Sequence, residues 1–223
     1  MRIHDCSFEL VLYDIDGTLV DTGGAGMAAL QQAAEAYFGA PAPTLDLAGS
    51  TDLGIVKHLL DHYGHASEQM DVMAFFDCYH QRLQQNLASD QYQGKVYDGV
   101  RESLVYLAQQ QTAIGLLTGN TKRGAEIKTC HFGLDSFFPY GAYGDDFADR
   151  NRLGPVALAR AQAHHGKSFS PQATLVIGDT PKDIACAHAM GAKCLAVATG
   201  AFDVDALRAH GADWVLPSLV EWI

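Results

Sequence analysis

The stretch 8–19, which reads FELVLYDIDGTL, decides how the rest of the chain is interpreted. Its first half, 8–13, is an apolar run of strand length, and such a run predicts a buried central strand of a parallel sheet. Two carboxylates, Asp14 and Asp16, follow at the strand end where α/β folds place their chemistry. Burying such a pair is costly unless the carboxylates bind a metal or transfer protons. The pattern therefore predicts Asp14 as a nucleophile and Asp16 as an acid/base, with Gly17 allowing backbone amides to approach a phosphate.

This stretch resembles the first signature of the haloacid dehalogenase-like hydrolases. Residues 116–120, which read LLTGN, follow a second strand-like run and resemble the second signature of that family. Residues 176–183, which read VIGDTPKD, end a later strand and resemble the fourth. The order and wide spacing of the signatures also match, and the resemblance covers nearly the whole chain. Most members of the family are Mg2+-dependent phosphatases, so the resemblance implies this activity and this cofactor.

The resemblance also implies which residues hold the metal. In the family, the residues at Asp14 and Asp179 bind Mg2+ through their side chains, and the residue at Asp16 binds it through its backbone carbonyl. Few carboxylates, with substrate oxygen and water completing an octahedron, suit this ion. Asp183 is expected to bind indirectly, through water, and the alternative is a helix N-terminal acid favoured by the helix dipole.

The second signature predicts phosphate binding. Thr118 offers a hydroxyl, and Gly119 and Asn120 offer backbone amides, at a strand-to-helix junction where phosphate is easily held. A Thr-Gly-Asn triplet alone is also an ordinary turn. Its position after a strand and before a helix favours the phosphate-binding interpretation for all three residues.

The third signature departs from the family pattern. The family usually has a Lys just before a helix, and the corresponding stretch here, 150–155, reads RNRLGP. Aligning Pro155 with the helix start puts Arg152 in the Lys position, and Arg150 is the competing assignment. Arg binds phosphate bidentately, although it is not equivalent to Lys. The alignment predicts Arg152 as the phosphate-binding residue and leaves Arg150 open.

Strand-like runs alternate with helical patterns along most of the chain. The predicted strands are 8–13, 112–117, 138–143, 174–177, 193–198 and 214–216. Helical patterns with start or stop signals lie at 101–110, 122–131, 155–165 and 183–190. This alternation predicts an α/β fold, with a Rossmann-like parallel sheet and helices on both faces.

The segment from about 23 to 94 breaks the alternation, because it contains no convincing strand. Its helical patterns lie at 27–38, 52–63 and 67–88. They predict a small α-helical cap over the end of the first strand, and in the family an insert at this point is the α-helical C1-type cap. The predicted division is a core of residues 1–20 and 95–223 and a cap of residues 21–94, with 92–96 as the return linker.

A loop inside the predicted cap holds the candidate specificity residues. Ser50, Thr51 and Asp52 directly precede a helical pattern. They could reach down and read the leaving group of the substrate. Equally, Ser50 or Thr51 could be the N-cap of the helix, since Ser and Thr are favoured there.

Composition describes an ordinary globular protein. Of the 223 residues, 48% are apolar and 18% are charged, and the net charge of -11 argues against nucleic-acid binding. No apolar run approaches membrane-spanning length, and residues 1–6 lack the apolar region of a signal peptide. The five scattered Cys fit reduced thiols. These observations predict a cytoplasmic protein that binds neither nucleic acid nor membrane, and they leave its oligomeric state open.

The leading hypothesis is a Mg2+-dependent phosphatase that hydrolyses a small phosphorylated metabolite through an aspartyl phosphate, as in phosphoglycolate-phosphatase-like members. Asp16 argues against a dehalogenase, because family dehalogenases lack the second Asp. A phosphomutase keeps both Asp and stays open. A phosphonatase uses a cap Lys, and Lys57 shows no sign of the desolvation that such a Lys needs. From a different class, a phospho-accepting regulatory module also uses an acidic pocket and Mg2+, but it is smaller and has no cap.

Overall fold

The computed structural model describes residues 7–44, 48–64 and 72–222, in which strands and helices alternate. The strands are β1 (Leu10–Tyr13), β2 (Val20–Asp21), β3 (Lys95–Val96), β4 (Ala113–Leu117), β5 (Gly141–Ala142), β6 (Thr174–Gly178), β7 (Lys193–Val197) and β8 (Trp214–Leu216). The helices are α1 (Ala25–Phe38), α2 (Asp52–Tyr63), α3 (Val72–Leu87), α4 (Val100–Gln109), α5 (Lys122–His131), α6 (Leu153–His165), α7 (Pro181–Ala189) and α8 (Val204–Ala209). None of these helices is long and apolar enough to cross a membrane.

Six of the strands form one parallel sheet in the order β5-β4-β1-β6-β7-β8. β1 lies in the middle, where Leu10 pairs with Ala113 of β4 and with Thr174 of β6. The strand order reverses beside β1, and ligands bind outside the carboxyl ends of the strands at such a point. The prediction of an α/β fold with a Rossmann-like parallel sheet is confirmed.

The central strand is buried on both faces, which explains its continuous apolar sequence. Val11 and Tyr13 belong to the hydrophobic core on one face, and Leu10 and Leu12 belong to the core on the other. All four residues are fully buried. Side chains alternate across a strand, so a strand covered by helices on both faces needs an apolar residue at every position. Polar chemistry can begin only where the strand ends, at Asp14.

The predicted strand at 138–143 reduces to the two residues of β5. A 3-10 turn at Asp135–Phe137 precedes it. The aromatic residues on either side, Phe138, Tyr140 and Tyr143, are buried in the two cores. The packing of these rings in the two cores therefore accompanies a strand of only two residues, where the sequence predicted six.

The starts of several helices also differ from the prediction: α1 begins at Ala25, α4 at Val100 and α6 at Leu153, rather than at 27, 101 and 155. α7 begins at Pro181 rather than at residue 183, because Thr180 caps it and a proline is favoured in the first turn. α3 begins at Val72 in the structure, and the predicted start at 67–71 lies outside the described residues.

Helices α1, α2 and α3 pack around a third apolar core, which includes Ala29, Leu59 and Phe75 and to which α5 contributes Ile127. The chain passes from the sheet to these helices through β2 and returns through β3. These two strands pair antiparallel, with Val20 opposite Val96. The division of the chain into a core of 1–20 and 95–223 and a cap of 21–94 stays a prediction. The name "cap" is used below for α1, α2, α3 and the loops that join them.

Candidate active site

Three polar side chains follow three neighbouring strands at the point where each strand ends. Asp14 follows β1, Thr118 follows β4 and Asp179 follows β6. All three residues are buried. The carboxyl ends of parallel strands meet at one edge of a sheet, so residues far apart in the sequence lie together here.

A cluster of three carboxylates occupies this edge. Oxygens of Asp14, Asp179 and Asp183 lie within 4.8 Å of one another, and all three residues are buried. Both oxygens of Asp183 are already engaged. One accepts a hydrogen bond from Arg150, and the other accepts from the N–H of Thr180 at 3.0 Å and from its hydroxyl at 2.6 Å. Asp183 therefore caps α7 as part of a capping box, and Asp14 and Asp179 are the less constrained carboxylates.

The cluster carries more negative charge than its surroundings balance. Burial raises the pKa of Asp14 to about 6; Arg150 opposes the rise, while Asp183 and Asp16 add to it. Burial also raises the pKa of Asp179 to about 9, with Asp183 and Asp14 adding to the rise. Arg150 contacts both Asp14 and Asp183, so its single charge cannot balance all three carboxylates. A cation among these oxygens would allow them to ionise together.

Two glycines keep the surroundings of Asp179 open. Gly17 has a φ of 79°, and a Cβ at this position would collide with the carboxylate of Asp179. A Cβ at Gly200 would collide with the same carboxylate. Carboxylate and carbonyl oxygens are the ligands that small hard cations prefer. The donor set therefore fits a hard divalent cation.

The basic residue beside the carboxylates is Arg150, the assignment that the sequence left open, and not Arg152. Arg150 is 6% exposed, and its Nη2 lies 3.2 Å from Oδ1 of Asp14. Arg152 is exposed, and its guanidinium lies over the ring of Phe147, 3.8 Å from the centroid. Arg152 therefore makes a surface contact and does not border the cavity that contains Asp14.

The local backbone explains why counting back from Pro155 reaches Arg152 and not the buried arginine, which lies two positions earlier. Residues Arg150–Arg152 form a 3-10 turn that the side chain of Asp149 caps. α6 begins at Leu153, so Pro155 is its third residue rather than its first. Counting back from the proline therefore reaches the outward-facing end of the turn, whereas the buried arginine begins it.

Asp16 is held by a lysine that the sequence analysis does not single out. The Nζ of Lys128 donates to Oδ1 of Asp16 at 2.7 Å and to Oδ2 at 2.6 Å. It also donates to Oδ1 of Asn120 at 2.7 Å, and Nδ2 of Asn120 donates to Oδ2 of Asp16 at 2.8 Å. The side chain of Lys128 is 4% exposed and that of Asp16 is 45% exposed. Lys128 and Asn120 therefore hold the carboxyl of Asp16 in place, while its side chain remains accessible from the cavity.

The pattern of α5 contains the signal that could have identified Lys128. Thr121, Gly124, Ala125 and Lys128 recur at helical spacing and are all buried. A lysine on the buried face of a helix needs a charged or polar partner, because desolvating an ammonium is costly. The pattern thus predicts a buried ion pair, but not that the partner lies 112 positions away.

Gly119 and Asn120 of the second signature border the cavity, and residues of this signature bond to one another and to the cap. The hydroxyl oxygen of Thr118 accepts hydrogen bonds from the N–H of Asn120 at 3.3 Å and from its Nδ2 at 2.9 Å. The carbonyl of Gly119 accepts from the N–H of Asp52 at 2.7 Å. A Cβ at Gly119 would collide with the carbonyl of Ser50, so only glycine permits this close approach of the cap.

The loop before α2 joins the cap to the core through the three candidate specificity residues. Each of them bonds to a different core residue: Ser50 accepts from Nζ of Lys182 at 2.7 Å, Thr51 donates to the carbonyl of Ala148 at 2.7 Å, and Asp52 accepts from the N–H of Thr121 at 2.7 Å. Thr51 also accepts from the N–H of Gly54 at 3.1 Å, which makes it the N-cap of α2. Ser50 and Asp52 border the cavity of the site and Thr51 does not.

Asp52 is a carboxyl group in the narrow space between cap and core. Desolvation raises the pKa of Asp52 to about 6. The N–H of Thr121 and the charge of Lys128 oppose this rise, and Asp16 and Asp145 add to it. The hydrogen bond between Asp52 and Thr121 therefore joins the cap to the core. It also holds the carboxyl of Asp52 in a place where the ionised form is poorly solvated.

A cavity of about 480 Å3 separates the strand ends from the cap. Its core side is polar and includes Asp14, Asp16, Asn120, Arg150, Asp179 and Thr180. Its cap side is largely apolar and includes Met27, Leu30, Ile55 and Tyr79. Among the described residues that line it, the cations are Lys128 and Arg150. Five aspartates line the same cavity, so a ligand with an anionic end would need a further cation beside it.

The fold and the site together define a hydrolase of the phosphatase class: a buried carboxyl group stands at the end of the central strand, beside two further carboxyl groups and an arginine, and borders a cavity. The chain belongs to the haloacid dehalogenase-like hydrolases, because residues 11–197 match that family. This confirms the resemblance seen in the signatures.

Similar proteins include several phosphoglycolate phosphatases. The one from Chromobacterium violaceum is 27% identical over 216 residues, which cover 95% of this chain and 93% of that protein. The one from Synechococcus elongatus is 28% identical over 136 residues, which cover 61% of each chain. Within the family, the chain is therefore phosphoglycolate-phosphatase-like.

Solved structures with this fold include CbbY from Rhodobacter sphaeroides in complex with phosphate. It has a TM-score of 0.75 and 17% identity, and the match covers 96% of both chains. A predicted phosphoglycolate phosphatase from Haemophilus somnus has a TM-score of 0.70 and 19% identity, again over 96% of both chains. At these identities the likeness shows the fold alone.

Proposed function

We propose that this protein is a Mg2+-dependent phosphatase that hydrolyses a small phosphate monoester through an aspartyl phosphate on Asp14. The observation that carries the proposal is the placement of the Asp14 carboxyl. It is buried at the end of β1, 3.2 Å from Arg150, within 4.8 Å of two further carboxylates and at the floor of the cavity. Phosphate esters repel nucleophiles because their oxygens are anionic, so a phosphatase must balance that charge and hold the nucleophile in line.

Mg2+ would be held by the side chains of Asp14 and Asp179 and by the backbone carbonyl of Asp16, with Asp183 acting indirectly. Support comes from the raised pKa values of Asp14 and Asp179, which mark a cluster in need of positive charge. The engagement of both Asp183 oxygens with protein donors fits its indirect role. When bound, the ion would neutralise charge on the phosphoryl oxygens and on these carboxylates.

In the first step, an oxygen of Asp14 attacks the phosphorus atom. The bond between phosphorus and the ester oxygen breaks, and its electron pair stays on that oxygen, which takes a proton from the carboxyl of Asp16. The alcohol leaves, and the phosphoryl group remains on Asp14 as a mixed anhydride. Asp16 fits this part because it borders the cavity with an accessible side chain.

In the second step, the carboxylate of Asp16 takes a proton from water, and the resulting oxygen attacks the same phosphorus atom. The bond to Asp14 breaks, its electron pair returns to the carboxylate, and inorganic phosphate is released. Thr118, Gly119, Asn120 and Arg150 would hold the phosphoryl group through both steps. Arg150 would also restrain Asp14, which it contacts directly.

The substrate would be a compact metabolite. The cavity of about 480 Å3 is of the size that holds a small-molecule ligand. Its apolar cap side disfavours a long, strongly hydrated substituent. The similar proteins are phosphoglycolate phosphatases, so 2-phosphoglycolate is the first ester to test. A cytoplasmic location stays a prediction from the sequence.

The test is phosphate release from a panel of small phosphate monoesters, measured with Mg2+ and with EDTA. Wild type should release phosphate only with the metal, and Asp14→Asn should release none. Asp61→Asn, an exposed substitution on α2, is the matched control and should behave as wild type. Conversion of a sugar phosphate into its isomer, without phosphate release, would instead indicate a mutase. A folded protein that processes no ester would contradict the proposal.

A further inference from the structure

Lys128 is a buried cation to which the two proposed steps assign no role. It lies in α5, and its side chain is 4% exposed. An ammonium group has three N–H donors. All three have acceptors, because Nζ lies 2.7 Å and 2.6 Å from the two oxygens of Asp16 and 2.7 Å from Oδ1 of Asn120. The lysine is thus committed to one carboxyl group and to the amide beside it.

Stability alone gives a poor account of this pair. A buried ion pair often contributes no more than apolar residues of the same volume, because desolvation offsets the attraction. The other buried positions of α5 hold small or apolar residues, such as Gly124, Ala125 and Ile127, so an apolar residue would suit this face. The partner, Asp16, is also 45% exposed towards the cavity, so the pair is half open to a ligand.

The surroundings leave room for the ammonium group. Gly26 lies at the start of α1, and a Cβ there would lie 3.5 Å from Nζ of Lys128, in ordinary van der Waals contact. The amide of Asn120 closes a triangle, because it donates to Asp16 at 2.8 Å while accepting from the lysine. Three side chains therefore fix one another, and the carboxyl group of Asp16 is the member that faces the cavity.

The two cations of the cavity serve opposite ends of the proposed reaction. Arg150 contacts Asp14 and Asp183, on the side of the nucleophile. Lys128 contacts Asp16, on the side of the leaving group. Within the described residues that line the cavity, no further Lys or Arg is present.

We propose that Lys128 is a positioning residue for Asp16, which it holds in the orientation that delivers a proton to the leaving oxygen. This inference rests on the proposed phosphatase function. As Asp16 gives up its proton, negative charge develops on its carboxyl, and the preorganised ammonium stabilises that charge. The proton goes to the ester oxygen, and Lys128 neither gains nor loses one.

The role can be separated from a structural one by varying the leaving group. An alkyl phosphate needs protonation of its poor leaving oxygen, whereas p-nitrophenyl phosphate leaves without it. We therefore expect Lys128→Met to lower kcat/KM for a small alkyl phosphate about 100-fold or more, as loss of acid catalysis does. The same variant should lower kcat/KM for p-nitrophenyl phosphate far less. Asp16→Asn should show the same selectivity.

Lys122→Met is the matched control, because Lys122 is exposed on the same helix. It should leave both substrates unaffected. Lys128→Met leaves Asp16 without its cation and could fold poorly. Asp16→Asn/Lys128→Met removes both charges, and against the Asp16→Asn background the loss of the lysine should cost the alkyl substrate nothing further.

The outcomes are distinct. Equal losses on the two esters, no loss on either, or additive losses in the double variant would overturn the role of Lys128 while leaving the phosphatase intact. A wild-type protein that hydrolyses neither ester nor any other monoester would remove the proposed function itself, and this inference with it.

Discussion

Nη1 of Arg150 donates a hydrogen bond of 3.0 Å to the carbonyl oxygen of Gly49, in the loop before α2. Nη2 of the same guanidinium lies 3.2 Å from the carboxyl of Asp14. One rigid planar group thus joins the cap loop to the proposed nucleophile. Displacing the loop removes a partner from the residue that orients Asp14, so cap position and nucleophile geometry are linked through Arg150.

The first prediction compares the two arginines of the 3-10 turn. Arg150→Lys should lower kcat/KM about 100-fold or more, because an ammonium lacks the two separate NH2 groups with which the guanidinium reaches Gly49 on one side and the carboxyls of Asp14 and Asp183 on the other. Arg152→Lys changes an exposed residue stacked on Phe147 and should stay close to wild type. Steady-state kinetics on the preferred ester, with melting temperatures to confirm folding, decide the matter. The reverse ranking would contradict the assignment of Arg150.

A second prediction concerns the charge of Asp14 in metal-free protein. Its pKa in the folded protein is raised to about 6, so the carboxyl favours folding below about pH 4, and that contribution is lost as the pH rises through about 6. At pH 8, Asp14→Asn should therefore be more stable than wild type in EDTA, by about 1–3 kcal/mol. Urea unfolding measures this difference.

The same variant should respond less to metal. Mg2+ stabilises whichever state binds it, so wild type should gain melting temperature with the ion, and Asp14→Asn should gain much less. Asp61→Asn serves again as the exposed control. An Asp14→Asn protein that is less stable than wild type in EDTA at pH 8 would contradict this prediction. It would show that the ion pair with Arg150 stabilises the charged carboxyl of Asp14 more than burial destabilises it.

The third prediction is a pH dependence from Asp52. Its pKa is raised to about 6 by desolvation between cap and core, so its favourable contribution to folding is complete below about pH 4 and is lost as the pH rises through about 6. Asn can still accept the N–H of Thr121 without carrying charge. Asp52→Asn should therefore gain about 1–2 kcal/mol over wild type between pH 4 and pH 7.5. Unfolding curves at both pH values give the difference. An identical pH dependence of stability in the variant and in wild type would contradict the raised pKa of Asp52.

The fourth prediction uses two glycines with nearly the same backbone. Gly49 has a φ of 63° and Gly39 a φ of 69°. Alanine at either position is strained by about 1 kcal/mol. A Cβ at Gly49 would also collide with the side chain of Thr180, whereas nothing lies within 4 Å of a Cβ at Gly39. Both alanine variants should lose stability, but only Gly49→Ala should lower kcat/KM, because the carbonyl of Gly49 itself accepts a hydrogen bond from Arg150. Equal kinetics for the two variants would show that the loop position does not govern the site.

Local sequence patterns predicted most of the fold, because the apolar residues of most strands and helices here recur at the spacing typical of the element that they form. The apolar run of β1 ends where Asp14 begins, and the α/β alternation confirmed by the structure follows from such runs. β5 is the exception, because its extent depends on how Phe138 and Tyr140 pack in the core. The division into core and cap, the cytoplasmic location and the absence of nucleic-acid or membrane partners stay predictions.

For the site, the sequence by itself determined the candidate acidic residues, since Asp14 and Asp179 directly follow strands whose ends must meet in a parallel sheet, and Asp16 lies two residues after Asp14. Only the tertiary structure decided which cations accompany them. Arg150 replaces Arg152 because a 3-10 turn buries one arginine and exposes the other. Lys128 reaches Asp16 across 112 positions of sequence. Such contacts depend on how α5 and the turn before α6 pack against the sheet. A local sequence pattern carries no information on that packing, because the two side chains of each contact come together only when the chain folds.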